Sequence, residues 1–243
     1  MRIHAIDLEK YTIQLRSIQN RSGRNIICIH GVGASSRYWL PLAKYFKNDN
    51  VYIPDLPGFG GSDRSGQPLQ LANYADFIAE LLAALHLQNA VFIGNSYGCQ
   101  IILEYIQRYG QDKIDQLVLI GPTVYADERY TLLQFLRVLQ DIPRESAKTL
   151  ALLLRDYMHA SPRQCLRSLR DALDDKPEDK LENILISTLV IRGKNDKLVP
   201  QLWAERITRA LPQGELAVIP GSGHVTHSTA ASEVARSIHD FLI

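Results

Sequence analysis

Short apolar runs alternate with stretches of helical periodicity along almost the whole chain, and no other feature limits the fold as tightly. Residues 25–30, 51–54, 90–94, 116–120, 188–192 and 216–219 are rich in β-branched side chains and lack polar alternation. Such runs fit strands covered on both faces. Between them, residues 74–87 carry Phe77, Ile78, Leu81, Leu82 and Leu85 at helical spacing. Residues 101–109 continue a helix begun near Ser96, and residues 231–242 form the last helix. Strand and helix in alternation predict βαβ units on a mostly parallel sheet with helices on both faces. Residues 3–18, apolar at Ile3, Ile6, Leu8, Ile13, Leu15 and Ile18, predict an antiparallel hairpin at one edge.

The alternation stops at residue 122 and resumes at 188. The chain therefore divides into a core, 1–121 and 188–243, and an all-helical insertion, 122–187. Pro143, Pro162 and Pro177 cut the insertion into roughly four short helices, and Ser161-Pro162 reads as an N-cap followed by a first-turn proline. An insert between two strands predicts a lid over the carboxyl edge of the sheet, where open α/β sheets bind ligands. Leu132, Leu133, Phe135 and Leu136, then Leu150, Leu152, Leu153 and Leu154, then Leu166, Leu169 and Leu173 are the expected apolar faces. Some pack together and the surplus lines an acyl pocket. Arg163, Arg167 and Arg170 recur at i, i+4 and i+7 on the face opposite the leucines. That stripe reads either as a solvated surface or as a dock for an acidic substrate carrier.

The strongest local signal is Gly94-Asn95-Ser96-Tyr97-Gly98, which ends a strand and opens a helix. A nucleophile there stands on a tight turn at the top of the sheet, and the helix N-terminus favours developing negative charge. A serine hydroxyl needs a base, and the base needs an orienting partner. In hydrolases built on such a turn, the acid and then the histidine follow the serine. Only His159, His224, His227 and His239 lie downstream; the first falls in the insertion and the last in the final helix. His224, in Pro220-Gly221-Ser222-Gly223-His224, leaves the last strand on a glycine-flanked loop and is the expected base. His227 is its rival and reads as a hydrogen-bonded loop histidine. Asp196, in Gly193-Lys194-Asn195-Asp196, leaves the preceding strand and is the expected acid. At the end of an earlier strand, His30-Gly31-Val32-Gly33 supplies the remaining element. A tetrahedral oxyanion requires preorganised N–H donors, and the amides of Val32 and Tyr97 are the expected pair. His30 itself reads as structural.

The chain has 243 residues, with 27 Lys plus Arg against 26 Asp plus Glu and a net charge of +1. That balance argues against a nucleic-acid partner, which needs concentrated basic surface. Cys28, Cys99 and Cys165 show neither metal-ligand spacing nor a disulfide framework, so a reducing, cytoplasmic setting is expected. Charges interrupt the N-terminus too often for a signal-peptide core. No apolar run reaches bilayer length, so no membrane partner is expected.

With those residues in place, the sequence resembles the α/β-hydrolase superfamily over nearly its whole length. His30-Gly31-Val32-Gly33 with Trp39 resembles the family's oxyanion loop, and Asp55 to Ser62 its D-x-P-G-x-G-x-S turn. Gly94 to Gly98 resembles the nucleophile elbow, and the loops at Asp196 and His224 resemble the acid and base loops. The resemblance implies the α/β-hydrolase fold, no metal or organic cofactor, and a small-molecule ester or thioester substrate cleaved through an acyl-enzyme on Ser96, His224 and Asp196. Within the superfamily, the elbow and Leu119-Ile120-Gly121-Pro122 also resemble hydrolases that split carbon–carbon bonds of ring-fission diketones, which often have methionine at Tyr97. Simple carboxylesterases share the same pieces. Serine, not aspartate, at position 96 sets the chain apart from haloalkane dehalogenases and epoxide hydrolases. A perhydrolase and a ligand receptor on a hydrolase fold stay open as readings, since a fold does not fix a function.

Overall fold

The computed structural model describes residues 1–20, 22–130, 137, 140 and 147–243. Eight strands form one sheet: β1 (Arg2–Asp7), β2 (Thr12–Ile18), β3 (Asn25–Ile29), β4 (Asn50–Pro54), β5 (Ala90–Asn95), β6 (Ile114–Ile120), β7 (Thr188–Gly193) and β8 (Gly214–Ile219). Their order is β1-β2-β4-β3-β5-β6-β7-β8. The expected hairpin forms, with Arg2 opposite Ser17 and Asp7 opposite Thr12, and β2 runs antiparallel to β4. From β4 to β8 the pairs are parallel.

The side-chain period of two splits the core across this sheet. Ile27, Ile29, Phe92, Leu117, Leu119 and Val190 join one buried cluster. Ile26, Cys28, Val91, Ile93, Val118, Ile120, Leu189 and Ile191 join the other. The helices Leu71–Ala84, Tyr97–Tyr109 and Gln201–Ala210 supply residues to the first cluster, and Ala231–Phe241 supplies the second. Leu71–Ala84 starts three residues before the expected 74, because Gln70 accepts the register there: its N–H bonds to Asn73 Oδ1 at 2.9 Å. One expected strand differs in kind. The apolar run of β8 predicts cover on both faces, yet β8 is one edge of the sheet, with Glu215 and Val218 exposed.

Between β6 and β7 the described residues form helices Ala147–His159 and Pro162–Asp174 and short 3₁₀ turns, with no strand. Ser161 caps the second helix, its Oγ accepting from the Gln164 N–H, and Pro162 occupies the first turn. Pro143, Leu132, Leu133, Phe135 and Leu136 lie outside the described residues. The packing of the remaining leucines departs from the expectation. Leu152 and Leu153 pack on the core, but Leu154 is 64% exposed, Leu166 51% and Leu169 38%. Pro162–Asp174 buries Gln164, Ser168, Ala172 and Leu173 instead. Gln164 explains the choice: its Oε1 accepts the Leu69 N–H at 2.6 Å and its Nε2 donates to the Leu69 carbonyl at 2.9 Å and to Ser168 Oγ at 3.1 Å. Asp171 adds an acceptor for the Leu71 N–H at 3.1 Å. The helix docks largely by satisfying backbone groups that would otherwise be orphaned, so Leu166 and Leu169 share the outer side with Arg163 and Arg170 while Leu173 stays buried. Arg167 turns along its own helix to Asp171, 2.9 Å away.

Candidate active site

Chain order and strand order change direction at β3, whose two neighbours are β4 and β5. Ligand sites of open α/β sheets form at such a switch point, beyond the carboxyl ends of the strands. Ile29 pairs with Gly94 across it, so the loop after β3 and the turn after β5 emerge side by side. Asn95 pairs with Ile120, Ile120 with Ile191, and Gly193 with Ile219. That register delivers the loops after β6, β7 and β8 to the same edge.

Ser96 sits between β5 and the helix Tyr97–Tyr109 with φ 55° and ψ −121°. A side chain tolerates this region only where surroundings over-determine it. Here the Ser96 N–H donates to the Ile120 carbonyl at 3.0 Å and its own carbonyl accepts from the Cys99 N–H at 2.9 Å. The turn is too tight for Cβ atoms beside it. One on Gly98 would lie 2.3 Å from the Ile29 carbonyl oxygen, and one on Gly94 2.8 Å from the Cys99 nitrogen. Ser96 Oγ lies 3.4 Å from Thr123 Oγ1.

His224 Nδ1 lies 2.9 Å from Asp196 Oδ2, and the carboxylate side chain is fully buried. Asp196 Oδ1 accepts the N–H groups of Leu198 at 2.8 Å and Val199 at 3.0 Å. The carboxylate is thus arranged wholly as an acceptor, and Nδ1 is the nitrogen that donates to it. This bond fixes the imidazole tautomer, with the lone pair at Nε2. The ring lies against Gly121, where a Cβ would come 3.0 Å from His224 Cε1 and 3.5 Å from Asp196 Oδ2. The segment Ile120–Thr123 therefore touches Ser96 on one side and the His224–Asp196 pair on the other.

Tyr97 opens its helix, so its N–H belongs to the first turn, whose donors have no intrahelical acceptor. Val32 is half-buried on the loop after β3. His30 has the structural part expected of it. Its Nε2 accepts the Leu56 N–H at 2.9 Å, which leaves Nδ1 to donate to the Gly31 carbonyl at 2.8 Å, and burial lowers its pKa. The turn at Asp55 is likewise internal scaffolding: Asp55 accepts from Ser36 N–H at 2.6 Å, Gln14 Nε2 at 2.7 Å and Gly61 N–H at 2.8 Å.

His227 is not the hydrogen-bonded loop histidine expected. It is fully buried in the short helix Thr226–Thr229, and neither ring nitrogen has a hydrogen-bond partner among the described residues. Its ring lies on Trp39, centroids 4.1 Å apart, with Tyr38 edge-on at 4.4 Å. Burial, and then the neighbouring His224, hold its pKa well below that of a free imidazole. His159 ends the helix Ala147–His159, its Nδ1 donating to the Arg155 carbonyl at 2.8 Å. His239 reaches the Tyr45 carbonyl.

Three contributors escaped sequence reading. Thr123 faces Ser96. Tyr157, from the insertion, lays its ring over Gly33, where a Cβ would be 2.2 Å from Tyr157 Cε1, and its hydroxyl donates to the Val32 carbonyl at 3.2 Å. Asp156 is buried beside it and accepts from Ser35 Oγ at 2.6 Å. These contacts tie the insertion to the loop after β3. Among the described residues, no group of three His, Cys, Asp or Glu side chains could hold a metal ion, and no helix is long and apolar enough to cross a membrane.

Residues 26–237 match the model of the alpha/beta hydrolase family, and the chain belongs to that family. It is 26% identical over 235 residues to AB hydrolase superfamily protein YisY of Bacillus subtilis (strain 168), covering 83% of this chain and 85% of that one. It is 25% identical over 262 residues to the pimeloyl-[acyl-carrier protein] methyl ester esterase of Pseudoalteromonas atlantica, covering 96% of each. Among solved structures, a bromoperoxidase from Bacillus anthracis superposes with a TM-score of 0.84 at 22% identity, covering 99% of both chains. At that identity the likeness concerns the fold alone.

Proposed function

We propose that this α/β hydrolase cleaves a carboxylic ester or thioester through an acyl-enzyme on Ser96, with His224 as base and Asp196 as its orienting acid. The observation that carries the reading is the 2.9 Å bond from His224 Nδ1 to an Asp196 whose other oxygen is already held by Leu198 and Val199. It keeps the proton on Nδ1 and gives Nε2 the lone pair that a general base needs.

Ser96 Oγ attacks the acyl carbon while His224 Nε2 takes its proton. The carbonyl oxygen becomes an oxyanion held by the Val32 and Tyr97 amides. His224 returns the proton to the leaving alcohol or thiol, the bond to it breaks, and the acyl group stays on Ser96. A water then gives His224 a proton and attacks the same carbon; as the second tetrahedral species collapses, the bond to Ser96 Oγ breaks, His224 returns the proton to Oγ, and the carboxylic acid leaves.

In this reading, 122–187 forms the lid, and its exposed Leu154 and Leu166 contact the acyl chain. Exposed Arg163 and Arg170 receive an acidic acyl carrier; the name of the Pseudoalteromonas relative supports that substrate form. The free thiols Cys28, Cys99 and Cys165 suit the cytoplasm as its workplace. The test is a fluorophosphonate. One adduct should form and map to the peptide bearing Ser96, and Ser96→Ala should neither label nor turn over nitrophenyl esters. Labelling elsewhere, or turnover by the alanine variant, rejects the assignment.

A further inference from the structure

We propose that Tyr38 is a positioning residue whose single hydroxyl holds the two halves of the oxyanion hole in register. The inference rests on Ser96 as nucleophile and on the Val32 and Tyr97 amides as the donors. Those amides stand on different elements, one on the loop after β3 and one at the start of a helix after β5. A hole built from two loops works only if something fixes their separation, because donors must lie within a few tenths of an ångström of the developing oxyanion.

Tyr38 Oη lies 2.7 Å from the Gly31 nitrogen and 3.1 Å from Asn95 Oδ1. Gly31 directly precedes Val32, and Asn95 directly precedes Ser96. The polarity of the bridge is determined. Asn95 Nδ2 donates to the Ile120 carbonyl at 3.0 Å, which leaves Oδ1 facing Tyr38 as an acceptor. The Tyr38 O–H therefore donates to Asn95, and its oxygen accepts the Gly31 N–H. One chain of hydrogen bonds runs from the loop after β3, through the phenol, to the end of β6. Ile120, where it ends, also accepts the Ser96 N–H.

The phenol cannot drift. Tyr38 is 2% exposed, and the ring is set edge-on by Trp39 at 5.3 Å and His227 at 4.4 Å. This assigns the buried His227 imidazole a part as well: it is a wall of the Tyr38 slot, not a proton carrier. Burial raises the phenol pKa well above the usual tyrosine value, so the O–H remains a donor across the working pH range. The loops are also in direct contact, since a Cβ on Gly31 would lie 3.2 Å from Ser96 Cβ and 3.7 Å from its Oγ. With no slack between them, the bridge sets where the Val32 amide points relative to Ser96.

Tyr38→Phe tests this. It should fold and keep the KM of wild type for nitrophenyl acetate within about twofold, while kcat falls about tenfold to a hundredfold, the scale for a displaced rather than deleted donor. Phosphonylation of Ser96 by a fluorophosphonate should slow by a similar factor, whatever the natural substrate is. Affinity for a trifluoromethyl ketone, which also makes a tetrahedral oxyanion, should drop in parallel. A merely structural Tyr38 would lower Tm and leave kcat and phosphonylation near wild type, and that outcome overturns the proposal. If Tyr38→Phe fails to fold, Asn95→Ala breaks the same bridge from its other end and carries the same expectation; wild-type kcat there also overturns it. Should wild-type protein resist phosphonylation at Ser96, the nucleophile assignment itself has failed, and the positioning role falls with it.

Discussion

The loops bearing Ser96, Asp196 and His224 leave strand ends that are buried or pair with buried neighbours, so the register of the sheet dictates where those side chains stand. Helix Pro162–Asp174 is fixed by other means: Gln164 and Asp171 reach across to backbone groups of residues 69 and 71, while Leu166 and Leu169 stay outside. The first arrangement inherits the rigidity of a parallel core. The second rests on a few hydrogen bonds, each of modest net worth, and on the small apolar contact of Ala172 and Leu173. A helix held this way can change sequence and tilt without disturbing the loops at the carboxyl edge of the sheet.

That contrast predicts effects of very different size. At the edge, Ser96→Ala and His224→Ala should each lower kcat on nitrophenyl esters by on the order of 10⁴–10⁶. Asp196→Asn should lose about 10⁴ by reversing the imidazole tautomer. A rate within tenfold of wild type for any of the three would dissolve the edge as the reactive centre.

His227 sits three residues from His224 but belongs to the scaffold. His227→Phe should stay within about tenfold of wild-type kcat, the size of an ordinary neighbouring contact. It should also change acid stability. The folded protein keeps this imidazole neutral, whereas in the unfolded chain it takes up a proton below the ordinary histidine pKa of about 6.5. Stability should therefore be intact above that pH and fall beneath it by about 1.4 kcal/mol per pH unit for this one group. Chemical denaturation between pH 7 and 5 should show a shallower decline in the phenylalanine variant. His30, also shifted downward by burial, adds to the decline in the same direction.

In the insertion, Gln164→Leu leaves both backbone groups of Leu69 without their partner and should destabilise by about 1–3 kcal/mol. Its kinetic mark should be a raised KM for long-chain esters with kcat on acetate unchanged. Smallest of all, Arg163→Glu with Arg170→Glu should raise KM for an acyl-carrier substrate a fewfold at low salt, with no change for nitrophenyl esters, and the difference should vanish as salt rises. Equal effects on both substrates would return these arginines to ordinary surface.

The sheet and its reactive loops were readable because both are written locally. β-branched runs mark strands, and a strand-end glycine turn marks Ser96. Asp196 and His224 also follow their strands directly. What escaped depends on distant partners. Tyr38 meets Asn95 across 57 positions, Ser35 meets Asp156 across 121, and Tyr157 meets Val32 across 125. No spacing rule announces such pairs. The leucine pattern of 162–174 misled for a different reason: apolar periodicity assumes that burial is driven by apolar area, and this helix buries amide and carboxylate groups that bond to backbone. The exposed β8 escaped because a run of apolar residues looks alike in the middle of a sheet and at its rim.

The backbone at Ser96 carries a consequence for how such a chain can evolve. Its left-handed φ of 55° costs on the order of 1–3 kcal/mol for a residue with a side chain, and glycine would relieve it. Selection for stability alone would thus favour erasing the hydroxyl, and Ser96→Gly should melt higher than wild type while doing nothing to esters. The chain lives with a permanent thermodynamic handicap at the position proposed to react, and the surrounding core must carry enough surplus to tolerate it.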